Sequence, residues 1–196
     1  MIYLLRHGET EFNRETRIQG WMHSELTPEG VEQAHAMGRT LRRLIAAPAD
    51  WAILSSPQER ALRTAAIVRD IVGAPQPIET EPLIKEITLG GWEGSLYEDI
   101  EAAFPQALVG ATRYDRFFRS PDGEDYETFA ARMRRGLEAI LAHPSPNLIV
   151  VSHGVAGRVM RGLYAGMGKD EALRQEAPQD AFFRLQDGLV ERIACD

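Results

Sequence analysis

The start of the chain constrains the fold more strongly than any other stretch. Residues 2–5 form an apolar run that stops at Arg6-His7-Gly8. An uninterrupted apolar run is typical of a strand buried on both faces, as in a parallel sheet. The run therefore predicts a strand whose carboxyl end presents an arginine and a histidine. The glycine that follows is expected to let the backbone approach a ligand closely, because ligands bind at this edge of open α/β sheets.

Two further apolar runs repeat this arrangement. Residues 52–56 lead into a helical pattern with Arg60 in its first turn, and residues 148–152 end at His153-Gly154. Parallel neighbouring strands would bring two arginines and two histidines to one edge. Guanidinium groups suit phosphate because they donate paired, charge-assisted hydrogen bonds. The helix that begins near Gly154 is expected to add backbone donors to substrate binding. An arginine at a helix start opposes the helix dipole, which indicates that Arg60 faces an anion.

The order of the elements predicts the fold class. Strands alternate with helices, which indicates an α/β fold with a mostly parallel central sheet and helices on both faces, as a three-layer sandwich. Residues 77–81 are interpreted as a third strand, and residues 181–193 as a terminal hairpin turning at Asp187-Gly188. Residues 11–26 lack periodicity and are predicted to be a loop.

The length of 196 residues predicts a single domain over residues 1–196. Within it, residues 95–125 mix aromatic residues with arginines and lack a regular period, so we interpret them as an inserted cap. Its Phe117 and Phe118, with Trp21 from the earlier loop, either favour an apolar leaving group or belong to the core. The sequence leaves open whether the protein is a monomer or a homodimer.

The composition excludes several classes of partner. A net charge of -7 and a pI near 5.3 argue against binding to nucleic acid or to an anionic membrane. No apolar run approaches the roughly 20 residues of a membrane span, and cleavage of a signal peptide would remove Arg6 and His7. We therefore expect a cytoplasmic protein. The single cysteine, Cys195, supports neither a disulfide framework nor a thiolate metal cluster.

The paired histidines point to phosphoryl transfer. A neutral imidazole can attack phosphorus and form a phosphohistidine, while a second imidazole stabilises charge on the equatorial oxygens. Two histidines beside two arginines suit a divalent cation poorly, and the chain has no His-x-x-x-His or Cys-x-x-Cys spacing. No metal and no cofactor are expected.

Four motifs in this order resemble the histidine phosphatase superfamily, the phosphoglycerate mutase-like group. They are Arg6-His7-Gly8-Glu9-Thr10, Ser56-Pro57-x-x-Arg60-Ala61-x-x-Thr64-Ala65, Glu86-x-x-x-Gly90-x-Trp92-Glu93-Gly94 and Ser152-His153-Gly154. They extend across nearly the whole chain, and together they are highly specific. The resemblance implies a phosphoglycerate mutase-like fold.

The resemblance also implies roles for individual residues. His7 would be the nucleophile that becomes phosphorylated, and Arg6, Arg60 and His153 would bind the phosphoryl group. Glu86 would be the general acid that protonates the leaving oxygen.

Three more residues, Asn13, Gln19 and Gly20, would contribute to the phosphate pocket or its rim. A competing interpretation makes Glu93 the acid and leaves Glu86 to brace the loop; the motif position favours Glu86. Glu9 is expected to orient its loop.

Departures from the mutase pattern favour the phosphatase branch. Cofactor-dependent mutases of this group place an arginine after the acid and a tyrosine two residues later, whereas this chain has Ile87 and Leu89. The insertion also lacks the basic pattern that holds a second phosphate in mutases. Asp125 stands where that phosphatase branch usually has serine, which weakens a substrate assignment from close relatives.

The leading prediction is a metal-independent phosphomonoester hydrolase, of the histidine acid phosphatase type, that acts on a small phosphorylated substrate through His7. The alternatives are a cofactor-dependent phosphoglycerate mutase and a catalytically silent module that binds a phosphorylated ligand. Sugar phosphates, phosphorylated acids, nucleotide-related phosphates and phosphoproteins all remain open as substrates.

Overall fold

Six strands and seven α-helices make up the computed structural model, which describes all residues 1–196. The strands are β1 (Ile2–Arg6), β2 (Ala52–Ser55), β3 (Ile78–Thr80), β4 (Leu148–Ser152), β5 (Ala181–Gln186) and β6 (Leu189–Ala194). The helices are α1 (Glu11–Arg14), α2 (Pro28–Leu44), α3 (Glu59–Val72), α4 (Tyr97–Ala103), α5 (Tyr126–Leu141), α6 (Gly154–Tyr164) and α7 (Lys169–Arg174).

One mixed sheet joins all six strands in the order β3-β2-β4-β1-β5-β6. The first four strands in this order are parallel, and the β5–β6 hairpin runs antiparallel along one side of β1. β4 lies between β1 and β2, so the carboxyl ends of these three strands share one edge. The prediction that the motif-bearing strands are parallel neighbours is therefore confirmed.

The sheet separates two apolar cores, because successive side chains of a strand point to opposite faces. In β1, Ile2 and Leu4 pack on the side of α5, α6 and α7. Tyr3 and Leu5 pack on the side of α2 and α3, together with Ile53 of β2. Helices on both faces of a mostly parallel sheet confirm the predicted three-layer α/β class.

Side-chain caps explain where two long helices begin. Thr27 accepts a hydrogen bond from the Gly30 N–H at 2.9 Å, and Pro28 occupies the first helical position of α2. At α5, the Asp125 carboxylate accepts one from the Thr128 N–H at 2.8 Å. Serine and aspartate are equally good at this capping position. The departure at Asp125 is therefore a change of helix cap.

The structure corrects the interpretation of residues 11–26 as a loop throughout. Residues Glu11–Arg14 form the short helix α1, which begins at a capping box: the Thr10 hydroxyl accepts from the Asn13 N–H, and the Asn13 side chain accepts from the Thr10 N–H. One turn is too short to show a helical period, so this helix has no periodic signal in the sequence.

Gly8 allows a close contact between two backbone segments and not the expected approach to a ligand. A Cβ atom on Gly8 would lie 2.1 Å from the carbonyl oxygen of Gly30, inside van der Waals contact. The missing side chain thus lets the segment after β1 touch the backbone at the start of α2, whereas the sequence predicted an approach to a ligand.

Residues 95–125 contain α4 and a 3₁₀ turn over Arg116–Arg119. Phe118 packs against Phe129 and Tyr126, with ring centroids 5.9 and 5.3 Å away. This region is thereby attached to the face of the sheet that carries α5. None of the helices is both long and apolar enough to cross a bilayer.

Candidate active site

A cavity of about 620 Å³ opens at the carboxyl ends of the parallel strands. Its wall combines the end of β1, the segment after α1, residues 86–89, the first turns of α6 and part of the 95–125 region. Two glutamates, Glu9 and Glu86, line it beside five arginines, which are Arg6, Arg17, Arg60, Arg116 and Arg158. The excess of arginine makes the cavity attractive to anions although the whole chain carries a charge of -7.

His7 lies just after β1 and is 3% exposed. Its Nδ1 lies 2.8 Å from the carbonyl oxygen of Gly8, which can only accept, so Nδ1 carries the proton. Its Nε2 accepts a hydrogen bond from Nε of Arg60 at 3.1 Å. Burial, helped by the charges of Arg60 and Arg6, lowers the pKa of His7 well below its ordinary value. His7 is therefore a neutral imidazole whose Nε2 lone pair faces an arginine.

Arg60 is buried in the first turn of α3, as the sequence predicted. Besides its bond to His7, it donates from Nη2 to the Gly20 carbonyl at 2.8 Å and from Nη1 to the Met22 carbonyl at 3.2 Å. Burial lowers the pKa of Arg60 to about 10, and the nearby Glu86 opposes that shift. The guanidinium is thus a charged group whose partners in the chain are neutral.

Arg6 and His153 are the other two of the four arginine and histidine residues that were predicted to meet at this edge. Arg6 donates from Nη1 to the Ala177 carbonyl at 2.6 Å, while its Nε is buried and has no partner. His153 is 1% exposed and its ring centroid lies 5.2 Å from that of His7. His153 Nε2 meets the Ser56 hydroxyl at 2.8 Å, and its Nδ1 is buried without a partner. Burial lowers the pKa of His153 well below its ordinary value, so it is also neutral.

His153 differs from the other predicted phosphate ligands in its position. Arg6, His7, Arg60 and Glu86 line the large cavity, but His153 lies behind His7 and does not. The sequence pattern places it at the correct strand end and cannot specify this depth.

Glu86 occupies the amino end of α6. Its two carboxylate oxygens accept hydrogen bonds at 3.0 Å from the N–H groups of Val155 and Ala156, and one of them accepts from Ile87 N–H at 3.0 Å. A helix amino end favours negative charge, so the carboxylate fills a natural anion site. Gly154 lines the cavity, but these first-turn donors that the sequence assigned to a ligand are engaged by Glu86.

Glu93, the competing candidate for the acid, braces its own loop. One carboxylate oxygen accepts from the Thr88 hydroxyl at 3.0 Å and from the Leu89 N–H at 2.9 Å. The same side chain fills the space beside Gly20, where a Cβ atom would lie 2.2 Å from it. Glu93 does not line the cavity, whereas Glu86 does.

A partly buried ion pair holds the segment that carries Glu86. Arg132 of α5 donates to three carbonyl oxygens, those of Leu83 at 2.8 Å, Lys85 at 2.9 Å and Glu86 at 3.0 Å. It also pairs with both carboxylate oxygens of Glu124, at 2.7 and 2.6 Å. The sequence analysis did not find this clamp, because it joins residues nearly 50 positions apart.

The three residues predicted for the pocket or its rim all line the cavity, although they are engaged within the chain. Asn13 Oδ1 accepts from the Thr10 N–H and from Gln179 Nε2, both at 3.3 Å. Gln19 Oε1 accepts from the Thr10 hydroxyl at 3.0 Å, which leaves its buried Nε2 without a partner. Gly20 contributes its carbonyl to Arg60 and has a positive φ of 52°.

Glu9, expected to orient its loop, lines the cavity and accepts a hydrogen bond from the Thr27 hydroxyl at 2.8 Å. Of the three aromatic residues considered for the pocket, only Phe117 lines it. Trp21 is 45% exposed and donates from its indole to the Glu86 carbonyl at 2.7 Å. Phe118 belongs to the core around α5.

Sequence reasoning missed several lining residues. Arg158 comes one turn after Gly154 on α6, a spacing that would have placed it on the same helix face. Arg116 lies over the Tyr97 ring, with its guanidinium carbon 3.6 Å from the ring centroid. Burial raises the pKa of Tyr97 to about 12, against the opposing effect of Arg116. Arg17 donates to the Gly94 carbonyl at 2.9 Å.

One group of side chains has the spacing to hold a metal ion: His23, Glu25 and Glu59. All three are exposed on the surface and none lines the cavity.

The fold and the site define a phosphoglycerate mutase-like protein, with a buried histidine pair and arginines at the carboxyl edge of a six-stranded sheet. The chain belongs to the histidine phosphatase superfamily (branch 1), whose family profile matches residues 2–185.

Relatives in this superfamily carry the names of both mutases and phosphatases. The chain is 34% identical over 196 residues to "Probable phosphoglycerate mutase GpmB" of Erwinia tasmaniensis, covering 98% of this chain and 83% of the relative. It is 29% identical over 168 residues to "Putative phosphoserine phosphatase 2" of Hydrogenobacter thermophilus, covering 85% and 79%. Among solved structures, Bacillus stearothermophilus YhfR is similar, with a TM-score of 0.81, 28% identity and coverage of 98% and 95%.

Proposed function

We propose that this protein is a metal-independent phosphomonoester hydrolase that acts through a phosphohistidine on His7. The observation that carries the proposal is the state of His7. Its proton is on Nδ1, held by the Gly8 carbonyl, and its Nε2 lone pair lies in an arginine-lined cavity. A neutral imidazole oriented in this way is a competent nucleophile toward phosphorus.

In the first half-reaction, Nε2 of His7 forms a bond to phosphorus while the bond to the leaving oxygen breaks. Arg60 exchanges its hydrogen bond to His7 for the phosphoryl oxygens, and Arg6 offers a buried Nε–H that has no partner elsewhere in the chain. The positive charge that develops on the ring is stabilised through Nδ1–H by the Gly8 carbonyl. Stabilising charge in the transition state is the main contribution that a protein makes to such a transfer.

Glu86 supplies the proton to the leaving oxygen. Glu86 lines the same cavity as His7 and Arg60. In the second half-reaction, water attacks the phosphohistidine, the P–N bond breaks, and the proton from water returns to Glu86. Nε2 recovers its lone pair, so the cycle closes with no external base and no metal.

The test is hydrolysis of p-nitrophenyl phosphate in excess EDTA, comparing wild type with His7→Ala. We expect activity that survives the chelator and is absent from the variant. Wild-type protein quenched during turnover should carry a phosphoryl group that is stable in alkali and labile in acid, as phosphohistidine is. Activity in the EDTA-treated His7→Ala protein would overturn the proposal. The acid phosphatase type further implies turnover at acidic pH, because the lowered pKa of His7 favours the neutral nucleophile there.

A second candidate is a phosphoglycerate mutase, which the name of the Erwinia tasmaniensis relative favours. Ile87 and Leu89 line the cavity at the positions where the mutase pattern has arginine and tyrosine, so this wall lacks those polar groups. Incubation with 2-phosphoglycerate, with and without a bisphosphoglycerate, distinguishes the two. A mutase yields 3-phosphoglycerate without releasing phosphate, whereas a hydrolase releases phosphate. Binding of phosphate with neither activity would identify a silent binding module.

A further inference from the structure

Gln58 bridges two segments that line the active-site cavity, although it does not line the cavity itself. It lies between β2 and α3 and is 9% exposed. Its Nε2 donates to the Gly20 carbonyl at 3.0 Å, and its Oε1 accepts from the Glu86 N–H at 2.8 Å. An amide nitrogen can only donate and an amide oxygen can only accept, so these two partners fix the orientation of the side chain.

The Gly20 carbonyl is the point where Gln58 meets the buried arginine of α3. This carbonyl accepts from Nη2 of Arg60 at 2.8 Å as well as from Gln58, so both of its lone pairs are used. The Glu93 side chain packs against Gly20 on the side where a Cβ would project. Gln58 therefore holds the carbonyl group that orients the guanidinium of Arg60.

The backbone of Glu86 is the other end of the bridge. Its N–H donates to Gln58, while its carbonyl oxygen accepts from the Trp21 indole at 2.7 Å. Trp21 follows Gly20 in the chain, so one short segment contacts both sides of Glu86, once directly and once through Gln58. A continuous series of hydrogen bonds thus joins the buried arginine to the residue assigned as the acid.

We propose that Gln58 is a positioning residue that couples Arg60 to Glu86 through the Gly20 carbonyl. This inference rests on the proposed function, because Arg60 binds the phosphoryl group and Glu86 donates the proton only under that function. When Arg60 gives up its bond to His7 for a phosphoryl oxygen, the Gly20 carbonyl keeps its second donor and stays in place. The same amide holds the backbone of the acid, so both groups meet one substrate in a fixed geometry.

The first test measures phosphate binding without turnover. Inorganic phosphate is titrated calorimetrically into His7→Ala and into the double variant His7→Ala/Gln58→Met. Methionine has nearly the length of glutamine and removes both hydrogen bonds. The guanidinium of Arg60 then has to be ordered during binding, so we expect phosphate affinity to fall by a factor on the order of 2 to 10.

The second test compares two leaving groups. p-Nitrophenolate leaves with little need for a proton, whereas the alkoxide of glycerol 1-phosphate requires one. We expect Gln58→Met to lower kcat/KM for glycerol 1-phosphate by a factor on the order of 10 to 100, because the acid is misplaced. For p-nitrophenyl phosphate, only the smaller loss in phosphate affinity should appear. In a Glu86→Gln background the two esters should lose equally on Gln58→Met, since no acid is left to position.

The matched control is Gln175→Met, which removes another bridging amide outside the cavity. Gln175 accepts from Nε of Arg161 at 3.1 Å and donates to the Arg158 and Ala172 carbonyls, both at 3.0 Å. A purely structural amide affects only stability. Gln175→Met should therefore lower Tm and leave both phosphate affinity and the ratio of the two ester rates unchanged.

The outcomes separate this inference from the proposed function. If wild type hydrolyses neither ester and Gln58→Met still weakens phosphate binding, the hydrolase proposal fails and the hold of Gln58 on Arg60 stands. Unchanged phosphate affinity overturns the coupling whatever the rates are, because Gln58 would then resemble the structural control. Equal losses for both esters in wild-type background also overturn it, since Gln58 would then act on Arg60 alone.

Discussion

Replacing Arg132 with methionine tests whether the position of Glu86 governs proton donation. Arg132 does not line the cavity, so its influence on catalysis has to pass through the backbone that it holds. It donates to the carbonyl oxygens of Leu83, Lys85 and Glu86 at 2.8 to 3.0 Å and forms a two-point ion pair with Glu124. Methionine keeps the length of the stem and removes every one of these bonds.

The structure sets the expected size of the effect. The side chains of Arg132 and Glu124 are only 16% and 13% exposed, so the variant leaves a partly buried carboxylate without its cation. Breaking such a pair costs roughly 3–5 kcal/mol. For a chain of this length each kcal/mol lowers Tm by roughly 2–4 °C, which gives a decrease on the order of 6 to 20 °C. A catalytic group misplaced by about 1 Å loses a factor on the order of 10² in rate.

The assay compares two leaving groups at a temperature where the variant is folded. p-Nitrophenolate leaves with little need for a proton, whereas the alkoxide of glycerol 1-phosphate requires one. We therefore expect kcat/KM to fall on the order of 100-fold for glycerol 1-phosphate and only a few-fold for p-nitrophenyl phosphate. The matched control is Arg134→Met, an exposed arginine two residues after Arg132 on α5. This variant should change kcat/KM for neither ester.

A double variant separates stability from positioning. Glu124→Gln added to Arg132→Met removes the stranded charge, so it should recover part of the Tm while hydrolysis of glycerol 1-phosphate stays low. Equal losses for both esters, or an unchanged Tm in Arg132→Met, would refute the view that this clamp positions the acid.

Three further changes follow from the same contacts. Glu86→Gln should reduce hydrolysis of alkyl esters by on the order of 100-fold or more, since the amide cannot act as the acid, and it should affect hydrolysis of p-nitrophenyl phosphate far less. Steady-state kinetics on both esters checks this. Equal losses for the two esters would remove Glu86 from the acid role. Gly8→Ala should destabilise the fold by roughly 2 kcal/mol or more, since its Cβ would lie 2.1 Å from the Gly30 carbonyl; urea unfolding measures it, and an unchanged midpoint would contradict the close approach. Burial lowers the pKa values of His7 and His153, so the unfolded chain takes up protons below about pH 6.5 while the folded chain does not. The contribution of these two histidines to the free energy of unfolding should therefore be complete above that pH. At lower pH the free energy of unfolding should fall by up to about 1.4 kcal/mol per pH unit for each histidine. Urea unfolding between pH 7.5 and 5 tests this. The free energy of unfolding of His153→Asn should depend less steeply on pH than that of wild type, and an equal slope for the two proteins would contradict the reasoning.

The sequence predicted the parts of this fold that depend on local pattern. Apolar runs ending at Arg6-His7 and at His153 mark parallel strands, and the carboxyl ends of such strands meet at one edge wherever the helices pack. Position relative to the cavity is not local, which is why the depth of His153 behind His7 could not be inferred.

The residues that sequence reasoning missed share a physical cause. An arginine in an amphipathic helix usually lies on the solvated face, and nothing in the letters around Arg132 distinguishes it from Arg134 or Arg135. The one local signal for Arg158 is its four-residue spacing from Gly154. Arg132 differs because a distant segment brings three carbonyl groups to it. Arg158 differs because it lines the cavity and its Nε is buried without a partner. Both distinctions exist only once segments far apart in the chain are packed together.

Under the proposed mechanism, groups of the chain occupy the positions that a phosphoryl group would use. Arg60 donates to the Nε2 atom that would attack, and Glu86 holds the amino end of α6, where an anion is favoured. A phosphomonoester would therefore exchange partners with these groups and would not enter an empty site. A neutral ligand offers Arg60 no charge in exchange for its three acceptors, so the proposed mechanism favours an anionic group for uncovering Nε2 of His7. Under that proposal, the cavity selects for the phosphoryl charge before the rest of the substrate makes any contact.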